Sequence, residues 1–596
     1  MSSRIHVALK GLLFLLLLLL IYFLINPLLI FHFQQLGFKF DRHLVNEFLS
    51  YPGGFSDYIS IFLFQFSKYR FLGALIYTLL MVAIVVLLSI HLTTLKNKPS
   101  VVLIFLPVVL LGYMITDYSF PIYYILILVF LLLFLNGYQK IKTYLSNQYL
   151  SFLPAILIMP LVYYLLGGGA FLTFSGTLLL LSLFSTRKVR FFYIPFIVFY
   201  TFLIPWISAN YLFFITINDA FFNIKPFASD YILNRYTILI FLVVPASILI
   251  QLVLNRWSDK IAQSFVVQFL QYCILFTGLI ILIAIPNKDK KQKIEIDYLA
   301  YTGNWKELLE KVDENPSNDR LINFQTNRAL YHTGQMPYKL FHYQQMWGVD
   351  GLFLTRHFMP EILLPSTQLF IDLSYMNEAI HWANEAVSQK EYSPQIIEQL
   401  IVSHIIDHNY NSAMLYINNL KKFPFFKKRA IQLEQMVKND DPDETMLKIR
   451  KFIPYENFIV SRLLPNADLY FLLEDHPNNK MAYEYLMSFY LLNNDLTSFA
   501  RYFVMGQQFN YGKIPRIYQE ALTYYMYELN IEGKPIPQIQ IDNEVLADFS
   551  DYIVIQQEFE GSLVHAKPFL EKFNKTYWYY LDYASPVSLN RKIVIE

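Results

Sequence analysis

The sequence predicts an all-α protein: a polytopic transmembrane helix bundle of about nine spans, followed by a soluble α-helical repeat domain. Three observations predict it. The composition, 55% hydrophobic and only 16% charged over 596 residues, is too apolar for a soluble chain, in which about a quarter of residues are charged. The charges divide the chain near Pro286, with 17 Lys and Arg against 7 Asp and Glu before it and 31 against 39 after it. The second part, residues 287–596, carries helical periodicity broken by short Asn-, Asp-, Gly- and Pro-rich turns, with almost no alternating strand pattern.

In residues 1–286, nine uncharged stretches approach the ~20 apolar residues that cross a hydrocarbon core. They run approximately Gly11–Phe31, Phe71–Leu92, Val101–Thr116, Tyr118–Leu135, Leu150–Leu166, Ala170–Ser185, Phe191–Phe213, Tyr236–Asn255 and Ile261–Ile285. An odd count puts the termini on opposite sides. Arg4 and Lys10, Lys96 and Lys98, Lys140 and Lys142, Arg187, Lys188 and Arg190, then Arg256 and Lys260 fall at the N-terminus or in alternate loops, whereas the turns around Asp117 and Gly167-Gly168-Gly169 hold no Lys or Arg. The positive-inside rule then predicts a cytoplasmic N-terminus and a periplasmic C-terminal domain, in the inner membrane of a bacterium with an outer envelope.

The leucine run after Arg4 and Lys10 reads as a retained first span, because its apolar core is too long for a signal peptide and no small-x-small site follows. The single cysteine, Cys273, lies inside the ninth stretch, so no disulfide framework supports the outer domain. Gly167-Gly168-Gly169 reads as a tight turn between the fifth and sixth spans.

The outer domain repeats a helical unit. MNEAIHWANEA from Met376 is echoed 34 residues later by YNSAMLYINNL, with Asn377 matching Asn411 and Ala379 matching Ala413. That period is the one found in tetratricopeptide repeats, whose paired helices stack into a superhelix. Ala379 and Ala413 fall where helices approach closely, with Trp305, Trp382 and Tyr416 filling between them.

The first outer loop, residues 32–70, is too long for a turn. Phe40, Leu44 and Phe48 with Val45 and Leu49 recur at helical spacing, which predicts an amphipathic helix along the membrane interface with His43 and Glu47 on another face. Tyr51-Pro52-Gly53-Gly54 breaks it, and a second helix from about Ser56, carrying Asp57 and Gln65, leads to the second span. Of the seven carboxylates before Pro286, only Asp259 maps to the cytoplasmic side; Asp41, Glu47, Asp57, Asp117, Asp219 and Asp230 map to outer loops.

The chain resembles a family of bacterial polytopic membrane proteins, without an assigned activity, that share the Tyr-Pro-Gly-Gly loop and the NEA-type helical tail. Its order of parts is also similar to that of membrane glycosyltransferases using polyprenyl-phosphate-linked sugars, some of which carry tetratricopeptide tails. That resemblance implies a base or metal ligand in the early loop, matching Asp41 in Phe40-Asp41-Arg42. Arg42 stands where a second carboxylate is expected, which argues against a divalent-metal role and leaves metal and cofactor unassigned. Glycosyl transfer needs a base for the acceptor hydroxyl, and cations to hold the carrier phosphate. The expected catalytic set is therefore Asp41, supported by Glu47, Asp57 and Asp117; the expected substrate-binding set is Arg42, His43, Gln65, Arg70 and Arg235.

No Walker-type loop, HExxH, paired Cys or GxSxG elbow is present. Nothing recommends nucleic acid as a partner on the outer side of a membrane, and no carboxylate lies inside a span, which ranks coupled transport low. Two readings stand: a lipid-linked-sugar glycosyltransferase-like protein in envelope glycan assembly, or a non-catalytic scaffold whose repeats recruit periplasmic proteins.

Overall fold

The computed structural model describes residues 3–95, 99–145, 153–184, 187–222, 235–254, 270–278, 287–354, 360–389, 393–456, 464–559 and 562–588. Among them the secondary structure is helical, with no strand. The chain divides into two compact units, Met1–Lys291 with Lys422–Phe425, and Gln292–Lys421 with Phe426–Glu596. The boundary at Lys291 lies close to the change of charge at Pro286.

The first unit contains α1 (Ser3–Leu19), α2 (Pro27–Gln34), α3 (Arg42–Leu49), α4 (Gly54–Phe64), α5 (Arg70–Thr93), α6 (Val101–Ile115), α7 (Tyr123–Tyr144), α8 (Leu153–Leu166), α9 (Gly168–Leu183), α10 (Arg187–Ile207), α11 (Ile217–Phe222) and α12 (Arg235–Leu254). Helix α1 continues through a π-helical turn, Leu20–Ile25. Asn26 then adopts a left-handed conformation (φ 58°), and Pro27 restarts the helix with a 49° bend. Proline has no N–H to bond the preceding turn, so the break falls there.

The expectation of nine spans is corrected. Three described helices are long and apolar enough to cross a membrane, Arg70–Thr93, Tyr123–Tyr144 and Tyr193–Leu212, and the bent pair Gly11–Ile25 with Pro27–Gln34 makes a fourth if counted as one span. Val101–Ile115, Pro154–Leu166, Gly168–Leu183 and Ile238–Val253 are shorter apolar helices. The physical reason is rise per residue: the 15 residues of α6 extend only about 22 Å, short of a hydrocarbon core of about 30 Å. An uncharged stretch measures composition, whereas helix length is decided by where turns such as Gly167 cut in. Most of the ninth stretch lies outside the described residues.

Within this unit α5 buries Ala74, Tyr77, Met81, Ile84 and Leu88 and packs against α7. Its other face leaves Phe71, Leu79, Val86 and Ile90 exposed. Gly167, at φ 85°, starts α9 as expected of the triple glycine. The next residue has a packing reason as well: a Cβ on Gly168 would fall 2.3 Å from the carbonyl oxygen of Phe221.

In the second unit, consecutive helices pack in sequence order: Leu363–Asp372 on Met376–Gln389, then Pro394–Ile406, Tyr410–Leu420 and Lys427–Asn439. One turn recurs. At Gly303, Gly334, Ser374, His408, Asp440, Asn494 and Gly533 the residue has positive φ, its N–H reaches the carbonyl three residues back, and the next N–H reaches the carbonyl five residues back. Seven such helix ends among the described residues satisfy the terminal carbonyls in the same way, the pattern of a Schellman cap. The step from Ser374 to His408 is the 34 residues of the sequence echo. Ala379, Ala383 and Ala413 are fully buried where the helices touch, beside Trp382.

Candidate functional site

The first-loop helices sit close to where periodicity put them, and backbone chemistry explains how. Asp41 is extended (φ −135°, ψ 132°) and caps α3, its carboxylate accepting from the His43 N–H at 3.0 Å. The same carboxylate takes the ammonium of Lys422 at 3.0 Å. Lys422 first, and the His43 N–H second, hold the Asp41 carboxyl below its ordinary range. Leu44 and Phe48 are buried while Arg42 and His43 are exposed. Phe40 lies before the helix and is 67% exposed, and Leu49 is exposed too, so the apolar stripe is narrower than expected.

The Tyr51–Gly54 turn clamps this loop to the end of α8. Gly53 is left-handed (φ 90°), and its N–H donates to the Tyr164 carbonyl at 2.8 Å. The Tyr164 hydroxyl donates to the Leu49 carbonyl at 3.2 Å, and Ser56 to the Leu165 carbonyl at 2.7 Å. A Cβ on Gly54 would fall 1.6 Å from the Phe48 carbonyl oxygen, so α3 and α4 meet backbone to backbone.

Asp57, in the first turn of α4, is buried. Its carboxylate accepts the Tyr51 hydroxyl at 3.0 Å and the Ser60 hydroxyl at 3.3 Å. Burial, then Asp57, then Tyr123 and Glu47 push the Tyr51 phenol well above its ordinary range. Asp57 therefore bonds this tyrosine directly, and Glu47 acts on it only through its charge. Asp117 is held by Ser119 and by Lys290, both through the same carboxylate oxygen; burial pushes its carboxyl up, and these partners more than offset that, leaving it below the ordinary range.

The structure thus pairs Asp57 with Tyr51 and gives Asp41 and Asp117 different cations. Two expected ligand-binding residues have other roles. Gln65 is buried and donates to the Leu36 and Ile61 carbonyls at 3.0 and 3.1 Å. Arg70 donates to the Tyr22 carbonyl at 2.8 Å and lies over the Tyr22 ring, 4.5 Å from its centre, tying α5 to the first helix. A residue's place in a loop said nothing of these backbone acceptors. Lys68 likewise donates to the Phe425 carbonyl. The side chain of Arg235, and Asp230 and Asp259, lie outside the described residues. No three His, Cys, Asp or Glu among the described residues cluster so as to hold a metal ion.

A family model described as a family of unknown function, DUF6057, matches residues 2–584. The chain belongs to that family. No curated protein and no solved structure matches it.

Sequence reasoning missed two charged centres in the second unit of this DUF6057 chain. Arg328, 2% exposed, bonds the Asp372 carboxylate at 2.7 and 3.2 Å, and His332 reaches the same oxygen at 3.1 Å. Burial alone would raise the Asp372 carboxyl, but Arg328 and His332 hold it down at about 2. The signal was present as Arg328 and His332 one turn apart on one helix; the distant partner was not. Arg516 gathers Glu520, Glu544 and Asp548 at 3.1, 3.0 and 2.5 Å. Glu520 is buried, and desolvation pushes its carboxyl up to about 7 despite Arg516 and the Tyr577 N–H.

That raised value has a direction. The folded chain holds the Glu520 proton over a range where an unfolded carboxyl, with an ordinary value near 4.5, has lost it. The contribution to stability is therefore complete below about pH 4.5 and is lost as pH rises through 7. The melting temperature of the full chain is expected to fall between pH 5 and 8. Glu520→Gln should flatten that slope, whatever its absolute melting point; an unchanged slope would assign the dependence to another group.

Proposed function

We propose that this DUF6057 chain is a multi-spanning membrane protein of the bacterial envelope that transfers sugar from a polyprenyl-phosphate carrier, with Asp41 as the base. One observation carries the reading. A bent first helix is followed by a half-exposed, ionised Asp41 heading α3, then by α4 and the long apolar α5, the order of parts of the glycosyltransferases the sequence resembles. The exposed apolar side chains of α5, together with Phe191, Phe199 and Phe202 on α10, support lipid as the surrounding medium.

In the proposed step the acceptor oxygen bonds to the anomeric carbon while the bond from that carbon to the carrier phosphate breaks. The phosphate leaves with the electron pair, and the acceptor proton passes to Asp41. Arg42, exposed beside Asp41, is positioned for the carrier phosphate. The buried Asp57 with Tyr51 keeps the loop in shape under that site.

Asp41 also caps a helix and pairs with Lys422, so the test separates these roles. Asparagine caps helices as well as aspartate does, and Lys422→Gln removes the ion pair but keeps the carboxylate. Surface and lipid-linked glycans are compared in a deletion strain complemented with wild type, Asp41→Asn or Lys422→Gln. The expected result is a glycan species lost on deletion, restored by wild type and Lys422→Gln, and not restored by Asp41→Asn at equal protein level. An unchanged profile on deletion, or full rescue by Asp41→Asn, would remove the catalytic reading.

A second reading, a membrane-anchored scaffold recruiting periplasmic proteins, is favoured by the seven repeated turns of the second unit, which support a tetratricopeptide-like array. Truncation after residue 286 tests it: a scaffold loses its partners while the glycan species persists.

A further inference from the structure

We propose that the second unit binds an acidic saccharide in two neighbouring cavities that share His342 and Lys575 as lining residues. This goes beyond the reading above, because neither cavity uses a residue of the first unit.

The first cavity, of about 420 Å³, is built for a sugar ring. Half-buried Tyr343 supplies an aromatic ring at its wall, with Tyr579 and Tyr583 packed on each other behind, and the C–H face of a pyranose packs against such a ring. Gln344 and Asn574, both exposed, bring planar amides able to donate and accept, which is what vicinal hydroxyls require. Its size lies within the usual range for small-ligand sites; Asp313 and Glu571 also line it, so an anionic substituent is accommodated at the neighbouring cavity and not here.

The second cavity, of about 440 Å³, differs in charge. Arg516, Lys572, Lys575 and His342 line it, with Glu520, Asp548 and Asp551 as its carboxylates. Glu520 and Asp548 are both bonded to Arg516. Lys572 and Lys575 form no ion pair with a carboxylate among the described residues, and both are exposed. Burial first, then repulsion from Lys575, Lys339 and Arg516, push the His342 imidazole below its ordinary range, with Asp313 opposing them. An anionic substituent on a sugar seated in the tyrosine cavity would meet these lysines. A hexuronate carboxylate and a sugar phosphate supply the same charge-assisted acceptor.

The test is titration calorimetry of the full chain with three probes: a glucuronate-containing disaccharide, glucose 6-phosphate and the matching neutral disaccharide. At least one acidic probe is expected to bind 10-fold or more tighter than the neutral one. Which acidic probe binds identifies the anion. Lys572→Gln with Lys575→Gln should remove that advantage while leaving the melting temperature unchanged, since both lysines are exposed. Tyr343→Ala should weaken acidic and neutral probes alike. No binding of either acidic probe, or an undiminished advantage in the double lysine variant, would overturn the proposal. Because glycan synthesis is not the readout, its result is independent of the Asp41 test.

Discussion

Arg328→Met is expected to destabilise the second unit by about 3 kcal/mol, because the largely enclosed Asp372 carboxylate loses its closer cation and keeps only His332. Arg328 is almost wholly inside and joins the helix Arg320–His332 to Leu363–Asp372 through Asp372, with Gln325 and Gln368 completing its bonds. Its guanidinium also lies 5.2 Å from the centre of the Trp305 ring, which itself stacks on His332. Hydrogen exchange on the full chain should show both helices losing protection together. The double variant Arg328→Met with Asp372→Leu should recover much of the loss, since an ion pair replaced by packed apolar groups is often neutral. Acid provides a second reading of the same pair. The folded Asp372 carboxyl is held at about 2, so its contribution is present above about pH 4 and disappears as pH falls through 2. In Arg328→Met this dependence should weaken, because only His332 then remains to hold the carboxylate ionised. A variant that exchanges like wild type would remove the pair from any account of this unit's stability.

The second large effect is expected from a single methyl group. Gly54→Ala puts a Cβ 1.6 Å from the carbonyl oxygen of Phe48, a distance no rotamer change relieves because the neighbour is backbone. Either α3 separates from α4 or the Tyr51–Gly54 turn opens, at a cost of about 3 kcal/mol or more. Since Tyr51 bonds Asp57 and the turn is bonded to Tyr164, amides from 42 to 64 should lose protection as one block. Gly53→Ala is the useful comparison. Its left-handed backbone (φ 90°) sets a strain of about 1–2 kcal/mol for any side chain, and the substitution should leave α3 and α4 in contact. Equal effects of the two substitutions would mean that conformation, and not the close approach, is what requires glycine here.

These two sites show different limits of sequence reading. Tyr51-Pro52-Gly53-Gly54 announced a break between two helices, and the structure has it there, because turn chemistry is local. That Gly54 is required by the Phe48 carbonyl, or that Tyr51 caps a buried Asp57, depends on how two helices close on each other. Asp41 was singled out from its place after the first apolar stretch, and it does head α3; Lys422, which pairs with it, is 381 residues away. Gln65 and Arg70 were chosen for residue type and loop position, and both turned out to bond backbone carbonyls of neighbouring segments.

By itself the sequence determined that the chain is helical, that its character changes near Pro286, where the first loop's helices lie, and that one helix pair of the second unit is echoed 34 residues later. Each of these is carried by composition or by spacing within about one turn or one hairpin. Only the tertiary structure decided how long each apolar helix is, and which carboxylates are buried or paired. It also decided where the cations of the second unit converge. Those properties are set by desolvation and by partners distant in the chain, and neither leaves a periodic trace in the residues themselves.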